Sequence, residues 1–165
     1  MADGPNYKVR YHRRDKGVTN YRKRLKYLIS GNTMLVVRNT NKYIIGQIVK
    51  YSPKGDIVVY GTSSTILKKY GVKKSFHSTP AAYLTGLIIG KKVKSTVSRA
   101  ILNTGLANPI KGGRTYALVK GVIDAGIEIP HDPKILPKMD RIKGEHLKEK
   151  IPFEEIKRKI EGEVQ

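Results

Sequence analysis

The 165-residue chain contains no cysteine, no tryptophan and only two phenylalanines. Without cysteine it has no disulfide framework and no thiolate to act as a metal ligand or nucleophile, which fits a reducing compartment. Long apolar runs are also missing: the longest, TPAAYLTGLIIG, is interrupted by Pro80, Gly86 and Gly90 and is too short to span a bilayer. The N-terminus lacks the apolar core of a secretory signal. We therefore expect a soluble cytosolic protein.

Acidic residues are almost absent from the first three-quarters of the chain. Residues 1–123 contain three acids, Asp3, Asp15 and Asp56, against 24 Lys and Arg, whereas residues 124–165 contain ten acids against nine Lys and Arg. The formal net charge is +20. Such an excess does not select a fold, but it favours binding to a polyanion.

The charge is densest in YKVRYHRRDKGVTNYRKRLKYL, residues 7–28, which contain nine Lys or Arg and one acid. RNA, DNA and an anionic membrane are the candidate partners, and a merely solvated arm is the alternative. A membrane-binding helix needs a broad apolar face beside the basic one, which this stretch lacks. Nucleic acid is favoured, because Arg and Lys bind phosphates and Tyr7 and Tyr11 are placed to stack on unpaired bases. Lys16 belongs to the same basic arm.

Local patterns predict a mixed α/β fold. Residues 1–18 show no hydrophobic period and are expected to form an extended basic arm. A helix is expected from Thr19 or Asn20 to Gly31, with Tyr21, Leu25, Leu28 and Ile29 on one packed face and cations on the other. Residues rich in β-branched side chains then predict a three-stranded antiparallel meander over 33–40, 42–52 and 57–61.

Helical patterns follow the meander. They predict a short helix ending at Gly71, a long helix capped by Ser78 or Thr79, a fourth strand over 97–105 and a second long helix over 111–126. The meander is thereby extended into a mixed sheet with helices packed on it. We divide the chain into the arm 1–18, a globular domain 19–126 and a C-terminal extension 127–165 that wraps on the domain or on a neighbour.

Two further basic stretches give weaker evidence for RNA binding. KGGR, at 111–114, opens a helix, where glycines and the helix N-terminus favour an anion beside Lys111 and Arg114, although a plain turn is equally consistent. GKKVK, with Lys91 and Lys92, is either a solvated helix end or a second RNA contact.

Catalysis is disfavoured. A metal-dependent nuclease of the ribonuclease H type combines a mixed sheet with helices, but it needs several carboxylates around paired Mg²⁺ ions, and the predicted sheet offers only Asp56. Asp124, Glu128, His131 and Asp132 cluster late, as a metal site or, more simply, as surface groups at a helix end. No HExxH or GxSxG pattern occurs. We expect no catalytic residue, metal, cofactor or small-molecule substrate.

Several blocks, in order, resemble one family. They are YKVRYHRR, GVTNYRKRLKYLISG, LVVRNTNKYIIGQIV, TPAAYLTGLIIGKK, AILNTGL, KGGRTYALVKGVIDAGIEIPH and RIKGEHL. The chain is similar over most of residues 7–148 to the universal large-subunit ribosomal protein that binds 5S ribosomal RNA, called protein eighteen in bacteria and archaea and protein five in eukaryotes. The archaeal form is the best match.

The resemblance implies a mixed α/β core and a place in the central protuberance of the large ribosomal subunit, in the cytoplasm. There the protein would attach 5S RNA to the subunit, beside large-subunit ribosomal RNA and neighbouring ribosomal proteins. Carried onto this chain, the implied 5S contacts are Lys8, Arg10, Arg13, Arg14, Tyr21, Arg22, Arg24, Arg38, Asn41 and Lys42.

Overall fold

The fold is built on one four-stranded mixed sheet. A computed structural model describes residues 4, 6, 8–147 and 151–162. The strands are β1 (Thr33–Asn39), β2 (Ile44–Lys50), β3 (Ile57–Ser63) and β4 (Ala100–Asn103). Their order in the sheet is β3-β2-β1-β4; the first two pairings are antiparallel, and β4 joins β1 in parallel. The predicted meander and its extension into a mixed sheet are confirmed.

Helices predicted from caps and apolar spacing are observed at 21–29, 79–93 and 114–124, whereas those at 12–15 and 139–143 were not predicted. The helices are α1 (His12–Asp15), α2 (Tyr21–Ile29), α3 (Thr79–Val93), α4 (Arg114–Asp124), α5 (Met139–Lys143) and α6 (Phe153–Gly162), with 3-10 helices at Ser64–Tyr70 and Pro133–Ile135. The Asn20 side chain accepts a hydrogen bond from the Lys23 N–H, and the Ser78 hydroxyl accepts one from the Ala81 N–H. Both predicted N-caps are therefore confirmed, each satisfying a helix donor that would otherwise lack a partner.

Helices α3 and α4 form the core against one face of the sheet. Thirteen of the fifteen residues of α3 are buried. Two glycines let the helices approach backbone to backbone: a Cβ built on Gly86 would lie 2.1 Å from the Leu118 carbonyl oxygen, and one on Gly121 would lie 2.1 Å from the Tyr83 carbonyl oxygen. This close contact fixes the position of α4 against α3.

Residues of the C-terminal extension pack into the same core. Ile142 is fully buried, and Phe153, Ile156 and Ile160 of α6 are nearly so. The Tyr83 and Phe153 rings lie 5.5 Å apart, centroid to centroid. Of the two alternatives for the extension, the described residues show packing on the domain.

Two expectations for the N-terminal region were wrong. The arm is not extended throughout, because residues 12–15 form a helical turn closed by bonds such as that from the Asp15 N–H to the Tyr11 carbonyl, 3.0 Å. Helix α2 packs only part of its apolar arc: Tyr21 and Leu28 are half-buried, whereas Leu25 is 57% exposed and Ile29 is 76% exposed. The helical period shows which side is apolar but not which side meets the domain, and here the side that carries Lys23 and Arg24 does.

None of the helices among the described residues combines the length and apolar character needed to cross a membrane.

The helix contact predicts an unusual response to Gly86→Ala. In an exposed helix this change stabilises by about 0.5–1 kcal/mol, because glycine loses more entropy on folding. Here the new methyl would overlap the backbone of Leu118, so we expect destabilisation by about 1–3 kcal/mol, measured by urea unfolding. Gly162→Ala in α6 is the matched control, since nothing lies within 4 Å of its Cβ position. Equal effects of the two substitutions would refute the close-contact interpretation.

Candidate nucleic-acid interface

The described part of the basic arm presents its cations to solvent. Lys8, Arg10, Tyr11, Arg13, Arg14 and Lys16 are all exposed. Tyr7, also predicted to bind RNA, lies outside the described residues. The Arg13 Nε donates to Thr19 Oγ1 at 2.9 Å, which ties the short helix α1 to the segment before α2. The predicted arm residues are therefore accessible to a polyanion.

Two tyrosines connect the arm to helix α2. The rings of Tyr11 and Tyr21 lie 4.9 Å apart, with their planes tilted by 38°. Tyr11 remains 70% exposed, so part of its ring is free to contact a base. Each tyrosine has an arginine as a chain neighbour, Arg10 and Arg22 respectively, which suits stacking combined with phosphate binding.

Helix α2 buries no residue and is attached to the domain by two cations on its polar side. The Lys23 Nζ donates to the Gly105 carbonyl oxygen at 3.3 Å. Arg24 donates from both terminal nitrogens to Asp56, at 3.0 and 2.9 Å. The hydrogen bond to Asp56 raises the pKa of Arg24 above its ordinary value. Because Asp56 lies in the turn between β2 and β3, this pair connects α2 to the edge of the sheet.

Arg38 is held in a similar way at the end of β1. Its Nη1 donates to the carbonyl oxygens of Val37 and Asn103 at 2.9 and 3.0 Å, and burial lowers its pKa below the ordinary value. Gly105, at φ +66°, packs against the guanidinium, where a Cβ would lie 3.1 Å from Cζ. Arg24 and Arg38 thus have intramolecular partners, and their role as RNA contacts stays a prediction.

The β1–β2 hairpin presents Asn41 and Lys42 at its exposed tip. The Thr40 hydroxyl donates to the Tyr43 carbonyl oxygen at 2.6 Å, which closes the turn. At its base, the Asn39 side chain donates to Thr115 Oγ1 at 2.8 Å. The hairpin and the start of α4 are therefore fixed to one another.

The remaining predicted cations do not all face outward. Lys91 Nζ donates to the carbonyl oxygens of Ile160 and Glu161, at 3.4 and 3.1 Å, and so caps the end of α6. Arg114 donates to the His77 carbonyl oxygen at 3.2 Å. Lys92 and Lys111 are exposed.

The late acidic residues have structural partners. Asp124 accepts from the Tyr83 hydroxyl at 2.9 Å and from Lys120 Nζ at 2.8 Å, and Glu128 lies 3.8 Å from Arg99 Nε. No group of three or more His, Asp or Glu side chains that could hold a metal occurs in the part of the chain that the structure describes.

An α/β core with an exposed cationic arm, a basic helix and tyrosines among the cations is typical of a nucleic-acid-binding protein. The family described as ribosomal large subunit proteins 60S L5 and 50S L18 matches residues 5–100, and the chain belongs to it.

Curated relatives support the assignment. A Sulfurisphaera tokodaii protein named large ribosomal subunit protein uL18 is 50% identical over 149 residues, or 89% of this chain and 76% of the relative. Proteins of the same name from Saccharolobus solfataricus and Caldivirga maquilingensis are 48% and 45% identical, over 89% of this chain and 74% and 72% of their own lengths. The chain is accordingly a structural protein of the cytoplasmic large ribosomal subunit rather than an enzyme, with ribosomal RNA as a partner.

Sequence reasoning missed the residues that orient the interface. Lys23 and Gly105 carry no local signal that they meet. Asp56 did carry a signal: it is one of only three acids in the first 123 residues, so it was a candidate partner for one of the many cations.

We expect Asp56→Asn to weaken binding to 5S ribosomal RNA, whose predicted contacts include α2, about two- to fivefold, the range of an exposed ion pair. Losing Asp56 frees Arg24 and loosens α2. A purely electrostatic effect has the opposite sign, since removing a carboxylate makes the protein more cationic. Filter binding at constant salt measures the change.

The control is Asp15→Asn, which removes an equal charge from an exposed acid in α1. It should leave affinity unchanged or raise it. Arg24→Lys keeps the charge but loses the two-pronged bond to Asp56, and should mimic Asp56→Asn. A gain in affinity for Asp56→Asn equal to that of Asp15→Asn would show that Asp56 does not position α2.

Proposed function

We propose that this chain binds 5S ribosomal RNA and attaches it to the large subunit in the central protuberance, beside large-subunit ribosomal RNA and neighbouring ribosomal proteins. The single observation that carries the proposal is the joining of the exposed arm, helix α2 and the sheet by Arg13–Thr19, Tyr11–Tyr21 and Arg24–Asp56. Family membership supports the choice of RNA.

The proposed contacts divide by chemistry. Arginine forks bind phosphate oxygens in pairs, whereas lysines act as point charges. The phosphate-binding group comprises Lys8, Arg10, Arg13, Arg14, Lys16, Arg22, Arg24, Arg38, Lys42, Lys91, Lys92, Lys111 and Arg114. Tyr7, Tyr11 and Tyr21 stack on unpaired bases, and Asn41 hydrogen-bonds at the hairpin tip. A protein that combines these contacts reads the shape of a folded RNA rather than a sequence.

RNA also stabilises the arrangement. None of the described residues before Tyr21 is buried, so the domain core contributes little to holding the arm. Bringing nine cations of residues 7–28 together is unfavourable unless phosphates offset their repulsion. Binding and ordering of this region are therefore coupled.

This mechanism predicts steep salt dependence. If about 6–10 phosphates are neutralised, the affinity for 5S RNA should fall about 10³–10⁵-fold between 50 and 200 mM salt, because binding releases condensed counterions. Titration of labelled 5S RNA at four salt concentrations measures the slope. An affinity that stays flat over this range contradicts electrostatic attachment.

Deleting residues 1–18 should weaken 5S binding strongly and reduce the salt slope, while the unfolding midpoint of the domain is preserved. The fold is preserved because the described residues of the arm contribute nothing to the buried core. Unchanged 5S affinity in the shortened chain would exclude the arm as a main contact.

A further inference from the structure

Besides a cleft beneath α2, the structure has a cleft between the start of α4 and the C-terminal extension, which we call the second cationic cleft. It has a volume of about 510 Å³. Lys111, Lys134, Lys138 and Arg141 line it, together with two acids, Asp140 and Glu145. The extension has a net charge near zero, so its composition hides this local excess of positive charge.

The backbone that carries these cations is fixed. The Gly112 N–H donates to the Ile135 carbonyl oxygen at 2.9 Å, which holds the loop before α4 against the 3-10 helix at Pro133–Ile135. Asp132 accepts from the Lys134 N–H at 2.9 Å, and fully buried Ile142 anchors α5. The cations therefore project from a scaffold that exists before any ligand binds.

Within the described part of the chain, the side chains of these four cations form no hydrogen bond or ion pair. Other cations do have partners: Lys120 pairs with Asp124, and Lys143 lies 3.6 Å from Glu154. Four unpaired cations around two acids leave the cleft with a formal charge of +2 apart from His146. A negatively charged ligand offsets their repulsion.

The cleft continues the proposed RNA surface. The loop between β4 and α4 borders the cleft beneath α2 at Gly105 and Leu106. It then borders a cleft of about 390 Å³ that contains Arg114 and Arg141, and it reaches the second cationic cleft at Lys111. The loop between β4 and α4 thus borders three neighbouring clefts, each lined by cations, from the surface under α2 to α5.

We propose that the second cationic cleft binds an RNA phosphodiester backbone. This extends the RNA-binding surface into the C-terminal extension, and it rests on the proposed function. The backbone comes either from 5S RNA continuing along the loop or from large-subunit ribosomal RNA. A nucleotide chain suits the cleft because cations for phosphates lie beside apolar, half-buried Leu136, which can contact a sugar.

The test compares two triple substitutions of equal charge. The cleft variant is Lys134→Gln, Lys138→Gln and Arg141→Gln, all at exposed positions. The control is Lys157→Gln, Arg158→Gln and Lys159→Gln on α6, which also removes two lysines and one arginine. Each full-length protein is titrated with 5S RNA and, separately, with large-subunit ribosomal RNA at 50 and 200 mM salt. Unfolding midpoints verify folding, and the three cleft substitutions made singly replace the triple variant if it unfolds.

We expect the cleft variant to lose affinity for one of the two RNAs relative to the control. Each lost phosphate contact should reduce the affinity change between the two salt concentrations about threefold. The RNA that responds identifies the source of the backbone. Equal behaviour of cleft variant and control on both RNAs would overturn the proposal. If the unsubstituted protein fails to bind 5S RNA, the proposed function fails separately, and the large-subunit titration still tests the cleft.

Discussion

Repulsion among like charges is the constraint on which the rest of this structure depends. With 24 Lys and Arg against three acids in residues 1–123, the domain cannot pair its cations internally. The few internal partners are therefore used selectively. Asp56 binds Arg24, and the carbonyl oxygens of Gly105 and Asn103 accept from Lys23 and Arg38. These contacts connect the cationic surface to the domain and leave most of its charge without an acidic partner among the described residues.

Packing in the apolar core fixes the elements that carry the cationic surface. Backbone contact between α3 and α4, made possible by Gly86 and Gly121, fixes α4 against α3. The Asn39–Thr115 hydrogen bond then ties the hairpin to the start of α4, and the loop from β4 carries Gly105 under α2. The hydrogen bond from the Gly112 N–H to the Ile135 carbonyl oxygen holds the C-terminal extension beside the same loop. The core therefore determines where the elements of the cationic surface lie relative to one another.

Local signals predicted most of the fold, since caps such as Asn20 and Ser78 and runs of β-branched residues act over a few positions. Contacts between distant residues were not predictable in this way. The apolar residues of α2 are recognisable from the sequence, yet the side of α2 that meets the domain carries Arg24, whose partner Asp56 lies about thirty residues away. Lys111 of the second cleft was recognised from the sequence, but Lys134, Lys138 and Arg141 were not, because charge averaged over residues 124–165 conceals their separation from the acids of α6. The predicted RNA contacts could not be tested in this way, because each contact requires the RNA as well as the protein.

Lysine acetylation of the protein, free and bound to 5S RNA, read by mass spectrometry, tests the central claim most directly. We predict that Lys8, Lys16 and Lys42, all exposed in the structure, become protected in the complex, while Lys159 on α6 reacts equally in both states. Equal acetylation of the three lysines with and without bound RNA would contradict this prediction, because the cationic arm and the hairpin would then not be the surface that binds.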